Sequence, residues 1–243
     1  VMNYMPYYGG YGYYGMYWDP TMILVLIGAV LSFWASSHVN GTFRKYARVR
    51  SMTGMTGAEV ARQLLHSQGI YDVTIQPIGG SLTDHYDPRT KTVNLSESVY
   101  NQTSVSAIGV AAHECGHAIQ DNVGYVPLRL RSAFVPVANL GSKLAMPAII
   151  LGVLIGMTPF VELGIWMFVL AVLFQVITLP VEFNASARAV RLLDSLGILR
   201  GDEVGQTRKV LGAAALTYVA AVAVSLLQLL RLIILFGGRR RDD

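Results

Sequence analysis

The chain has 243 residues, of which 53% are hydrophobic and only 14% charged, with a formal net charge of +4. Soluble domains carry about 25% charged residues, so this balance excludes an ordinary soluble domain and points to an integral membrane protein. A single cysteine excludes an intrachain disulfide framework, and the small positive charge, gathered in a few loops, gives no nucleic-acid module.

Residues 1–20 are a tyrosine- and glycine-rich tract (Tyr4, Tyr7, Tyr8, Tyr11, Tyr13, Tyr14 and Tyr17) that reads as a low-complexity lead-in suited to the headgroup zone. A first transmembrane helix is expected over 21–38, with Trp18 and Trp34 as interfacial anchors. No basic stretch precedes it, which favours a retained anchor over a cleaved signal peptide. Arg44, Lys45, Arg48 and Arg50 follow directly. The positive-inside tendency therefore puts the N-terminus outside and the next segment in the cytoplasm.

Residues 39–143 have the texture of a catalytic part outside the bilayer. Thr56-Gly-Ala-Glu59 is a capping box that opens a helix through Val60, Ala61, Leu64 and Leu65 and ends at Gly69. Leu82–Tyr86 and Lys91–Leu95 read as a β-hairpin around Asp87-Pro88-Arg89-Thr90. Thr92, Val93, Asn94 and Leu95 are candidates for holding a substrate backbone by strand addition, with His85 as a further substrate contact. The plainer alternative is a structural hairpin.

His113-Glu114-Cys115-Gly116-His117 spells H-E-x-x-H on a stretch without proline, with Thr103 or Ser104 available as helix cap. Residues four apart share a helix face, so both imidazoles can turn toward one ion, with Glu114 beside them as general base. Zinc suits two imidazoles and a third protein ligand, with a fourth position left open. Cys115 and Gly116 read as small packing residues.

A transmembrane hairpin is expected over 144–180, turning at Thr158-Pro159, and its first arm is short for a full span, so the helix should either begin before Leu144 or stay partly buried in protein. Residues 181–212 are expected to return to the cytoplasmic side as a helix and loop carrying Arg188, Arg191, Arg200, Arg208 and Lys209. A last span follows over 213–236, with Arg231 snorkelling to the interface, and 237–243 is a basic tail. The tail, Arg239-Arg240-Arg241, breaks the positive-inside pattern if the last helix crosses completely. The fold class is therefore a mainly α membrane protein, with about four transmembrane helices and a cytoplasmic-side α+β zinc-peptidase domain containing a small β-hairpin.

The third ligand separates the peptidase classes. A metzincin would continue H-x-x-G-x-x-H, but Gln120 stands three residues past His117 and no later histidine follows. A distant carboxylate remains, and Glu182, expected in the first turn of a helix opening after the third span, is the best placed. The bland alternative for Glu182 is a partner for the helix dipole.

The blocks HECGH, LTDHYDPRTKTVNLSESVY, VPVANLGS, LPVEFNASARA and AALTYVAA together resemble the YugP-type membrane zinc metallopeptidases, from the first span to the last. The resemblance implies a gluzincin-like peptidase, related in plan to HtpX-type quality-control proteases and CAAX prenyl endopeptidases. It implies His113, His117 and Glu182 as zinc ligands and Glu114 as the base. Ser186 stands where those relatives carry an aspartate behind a ligand histidine, so that support must come from another group, Asn184 being one candidate, or be weaker. Tyr218 and Arg188 are candidates for stabilising the oxyanion, with an interfacial anchor as the alternative for Tyr218.

Three functional readings follow. The first is a membrane-embedded zinc endopeptidase of a prokaryotic cell membrane, acting on polypeptides at the cytoplasmic face, with the lipid bilayer as its other partner and a homo-oligomer or membrane scaffold partner left open. A role in membrane-protein quality control rests on analogy alone. The second is a site-2-type intramembrane protease using Asp194 as third ligand. The third is a non-catalytic metal-binding scaffold or regulator, for which Glu114 has no use.

Overall fold

The computed structural model describes residues 19–237. The tyrosine tract through Trp18 and the arginine tail lie outside them. In chain order the elements are α1 (Met22–Ala47), α2 (Gly57–Ser67), β1 (Thr74–Ile78), β2 (His85–Asp87), β3 (Thr92–Ser96), α3 (Val105–Asn122), α4 (Val126–Ile155), α5 (Thr158–Ser195) and α6 (Asp202–Phe236). Four of these, α1, α4, α5 and α6, are long and apolar enough to cross a membrane. They turn large apolar side chains outward, among them Phe33 (76% exposed), Leu154 (77%) and Trp166 (68%). The protein is thus mainly helical with four candidate membrane spans, as expected, and carries a small mixed sheet that includes the expected hairpin.

The end of α6 lies beside the start of α1. Arg231 donates from Nη2 to Asp19 (3.2 Å) and from Nε to Thr21 Oγ1 (3.1 Å), so its charge is paired across the two helices. Ile149 on α4, Val161 on α5 and Leu232 on α6 form a second apolar cluster near the α4–α5 turn. The α4–α5 turn, the start of α1 and the end of α6 therefore share one end of the molecule. The main core lies at the other end, joining α2, β3 and α3 to the last turns of α5 and the first of α6.

Within that core α3 is enclosed. Ser104 caps it by accepting from the Ala107 N–H (3.3 Å), and almost every residue along it is buried. The Thr56–Glu59 capping box opens α2, and Gly69, at φ +71°, follows its end. The α4–α5 hairpin closes through small residues. A Cβ on Gly141 would stand 2.8 Å from the Met167 carbonyl, and one on Gly164 would stand 2.6 Å from the Ala145 carbonyl. In lipid, where apolar burial does not drive helices together, such close backbone approach is how they gain contact.

Several sequence expectations change. Glu182 does not open a helix: α5 runs unbroken through Pro180, so Glu182 is mid-helix and cannot be a dipole partner. An interior proline costs a helix roughly 3 kcal/mol. Here the helix continues because Val181, Ala185 and Ala189 behind it are fully buried against the core. In the same way α4 begins at Val126 and α6 at Asp202, well ahead of their apolar runs.

The hairpin of β2 and β3 is present, but β1 joins it on the far side, parallel to β3, in the order β1-β3-β2. Thr92, Val93, Asn94 and Leu95 therefore lie in the central strand, buried throughout and paired along both edges, and cannot accept a substrate by strand addition. β1 escaped the sequence reading because Pro77 interrupts it and three of its five residues are exposed, which an edge strand tolerates.

Enlarging Gly164 to leucine should drive apart α4 and α5 and lower stability by about 1–3 kcal/mol. Gly205→Ala, where an added Cβ meets nothing within 4 Å, should leave it equal or slightly higher. Thermal unfolding of both variants in one detergent checks the pair.

Candidate metal centre

Helical spacing puts His113 and His117 on one face of α3, their rings edge to face with centroids 4.8 Å apart. Glu182 of α5 meets them: its Oε2 lies 3.2 Å from His113 Nε2 and 3.5 Å from His117 Nε2. The three residues can offer ligand atoms that all lie within 4.8 Å of one another. The structure brings together the three residues expected as ligands, from two helices 69 residues apart in the chain.

The two residues inside the motif explain the approach. A Cβ on Gly116 would stand 2.6 Å from the Ala185 carbonyl, so only glycine lets α3 lie this close to α5, one turn beyond Glu182. Cys115 points the other way. It is fully buried, its Sγ donates to the Ala61 carbonyl of α2 (3.5 Å), and burial pushes its thiol pKa well up, which makes it a packing group rather than a ligand.

Behind each imidazole stands a neutral partner. Ser186 Oγ lies 3.0 Å from His113 Nδ1, so the serine itself takes the place of the missing aspartate. Gln120 Oε1 lies 3.1 Å from His117 Nδ1. The polarity of that contact follows from the groups beyond it. Arg188 can only donate, and its Nε gives a hydrogen bond to Asn184 Oδ1 (2.8 Å). The same oxygen accepts from Gln120 Nε2 (3.0 Å), which also donates to the Val181 carbonyl (2.8 Å). Gln120 must then turn its oxygen to His117, which places the ring proton on Nδ1 and leaves the Nε2 lone pair facing the cluster.

Two neutral imidazole nitrogens and one carboxylate oxygen, each fixed from behind, are a donor set that suits zinc. Glu114 is 7% exposed, and among the described residues no salt bridge or hydrogen bond engages its carboxylate. Glu182, by contrast, is clamped: Arg131 of α4 donates from Nη1 to its Oε1 (3.1 Å). Tyr218 of α6 lies beside Glu182, within the fields of Glu114 and Arg131.

Other candidates fall elsewhere. Arg188 reaches Asn184 rather than the cluster and lines a separate cavity of about 210 Å³ with Gln68, Ile119, Arg191 and Leu192, so it supports His117 at a distance and does not face an oxyanion. Asp194 lies twelve residues past Glu182, about 18 Å along the helix, and is not a third ligand. His85 is the exposed residue of β2, its Nε2 3.2 Å from Asn94 Nδ2. Arg131 and Gln120 were missed. Gln120 could have been found, since it stands three residues past His117 on the same face; Arg131, in another helix, left no such signal.

Burial works against the protonated form of His117. The hydrogen bond to Glu182, the charges of Glu114 and Glu182 and the Gln120 contact outweigh it, and the pKa rises above the ordinary 6.5. A proton and a metal ion compete for the same nitrogen. Metal affinity should therefore fall as pH drops through that raised value, beginning above the range of a free imidazole, in a chelator-competition titration. Gly116→Ala should separate α3 from α5 and lower metal affinity by about tenfold or more, in the range typical of disturbed ligand supports, as the same titration will show at fixed pH.

Residues 21–237 match the family described as "Putative neutral zinc metallopeptidase". A protein of Bacillus subtilis (strain 168) named "Putative membrane protease YugP" is 49% identical over 222 residues, covering 91% of this chain and 99% of that protein. No solved structure matches the chain. With nearly its whole described length inside the matched region, the chain belongs to this metallopeptidase family.

Proposed function

We propose that the protein is a zinc-dependent endopeptidase that hydrolyses polypeptides at the cytoplasmic face of a prokaryotic cell membrane, in the service of membrane-protein quality control. One observation carries the reading: the two histidines and Glu182 converge on one point while the adjacent Glu114 carboxylate has no ion-pair or hydrogen-bond partner among the described residues. A structural metal site has no use for such a group.

His113, His117 and Glu182 would hold the zinc, which when bound supplies a Lewis acid that polarises a carbonyl and makes a water more acidic. Glu114 takes a proton from the attacking water on its carboxylate oxygen and returns it to the nitrogen of the leaving amine. Tyr218, beside Glu182, would donate a hydrogen bond from its hydroxyl to the oxygen on which charge develops. An extended substrate can add to the free edge of β2, which Tyr86 ties to α3 through its hydroxyl bond to Asp121 (2.8 Å), with His85 available for contact.

The depth of the site supports action at a membrane surface. Measured along α5 from the turn at Met157, Glu182 lies about 37 Å away, against a hydrocarbon thickness of about 30 Å. Measured back from Phe236 along α6, Tyr218 lies about 27 Å away, near the inner limit of that layer. The basic groups Arg44, Lys45, Arg48, Arg50, Arg200 and Arg208 belong to the same end as the site, which favours the cytoplasmic side.

Zinc content and hydrolysis of an unfolded reporter such as casein, measured in detergent, test the reading. Glu114→Gln should keep about one zinc per chain and lose activity by a factor of 100 or more. Glu182→Ala should lose the zinc itself. Wild-type protein that holds zinc and cleaves nothing would support the scaffold reading.

A further inference from the structure

We propose that Arg131 is a positioning residue that makes Glu182 a one-oxygen ligand, holding open the coordination position that the reaction needs. The proposal rests on the reading of His113, His117 and Glu182 as a metal centre.

The two oxygens of Glu182 have different surroundings. Oε2 faces the Nε2 atoms of both histidines, at 3.2 and 3.5 Å. Oε1 is turned the other way and accepts from the Arg131 guanidinium at 3.1 Å. The Glu182 side chain is only 3% exposed and that of Arg131 30%, so this charge-assisted bond is screened mainly from the arginine side. A carboxylate without such a partner can close both oxygens onto one cation. With Oε1 occupied, the centre is left with three protein donor atoms and room for a fourth group, the condition of a catalytic rather than a closed site.

Arginine suits the task. It keeps its charge at any relevant pH and has no acceptor through which it could compete for the metal. Among the described residues it is also the only charged group that hydrogen-bonds to a ligand from behind, since Ser186 and Gln120 are neutral. It comes from α4, whereas the ligands belong to α3 and α5, so the first arm of the membrane hairpin takes part in setting the coordination number.

Cobalt(II) reports this directly, because four-coordinate cobalt absorbs visible light much more strongly than five-coordinate cobalt. Full-length protein in detergent is loaded with cobalt as wild type, Arg131→Met and Arg131→Lys, and kcat and KM on casein are measured on the zinc forms. Wild type should show the intense four-coordinate band. Arg131→Met should show the weaker five-coordinate band and a kcat lower by about tenfold to a hundredfold, with KM little changed. Arg131→Lys should regain most of the four-coordinate intensity, since its ammonium can still occupy Oε1. If Arg131→Met loses helical circular dichroism, Arg131→Gln takes its place under the same criteria. A cobalt spectrum in the folded variant that superimposes on wild type overturns the proposal. Wild-type protein that binds neither cobalt nor zinc overturns the metal centre itself and this proposal with it, so the two failures are distinguishable.

Discussion

Everything at the metal centre depends on how closely α3 lies against α5. The contact of Gly116 with the Ala185 carbonyl sets that distance, and close to it stand the groups that need it: Glu182, one turn before, between the two histidines, and Ser186, the next residue, behind His113. A methyl group at this point would act on all of them at once. Core packing and ligand geometry are here the same constraint, because the glycine lies inside the pentapeptide that carries the ligands.

The electrostatic arrangement follows from which partners are charged and which are not. Both histidines are held by neutral groups, so neither ring is pushed toward imidazolate and each keeps a lone pair for a cation. Glu182 gives half of its hydrogen-bonding capacity to a guanidinium. Glu114, one residue from His113 and almost as buried as Glu182, has neither kind of partner among the described residues. The two carboxylates thus have different surroundings, which suits the proposed division of labour, the clamped one to bind and the other to move a proton.

Local chemistry was legible in the sequence wherever it depended on spacing. The i,i+4 histidines, the Thr56–Glu59 capping box, the inert character of Cys115 and the hairpin of β2 and β3 all follow from residues close together in the chain. Glu182 was found as a residue, yet its setting was misread, because Pro180 is a strong stop signal and only the burial of Val181 and Ala185 shows why the helix continues through it. The central place of β3 was hidden for a related reason: it depends on β1, a proline-containing strand with a weak pattern of its own. Arg131 was invisible because its partner is 51 residues away and the chain between them reverses direction at the α4–α5 turn. What the sequence conceals here is contact across the membrane hairpin, which no local period records.

That hairpin also dictates an order of assembly. The histidines are made first, on a helix that the ribosome releases before α4 and α5 exist, and the third donor arrives only after a long apolar loop has doubled back from the far side of the bilayer. A chain still in transit, or one that never enters a membrane, has two thirds of a metal site and no means of completing it. Insertion is thus a condition set by topology: the candidate metal site stays unfinished in a newly made chain until both arms of the hairpin have taken their place among the lipids.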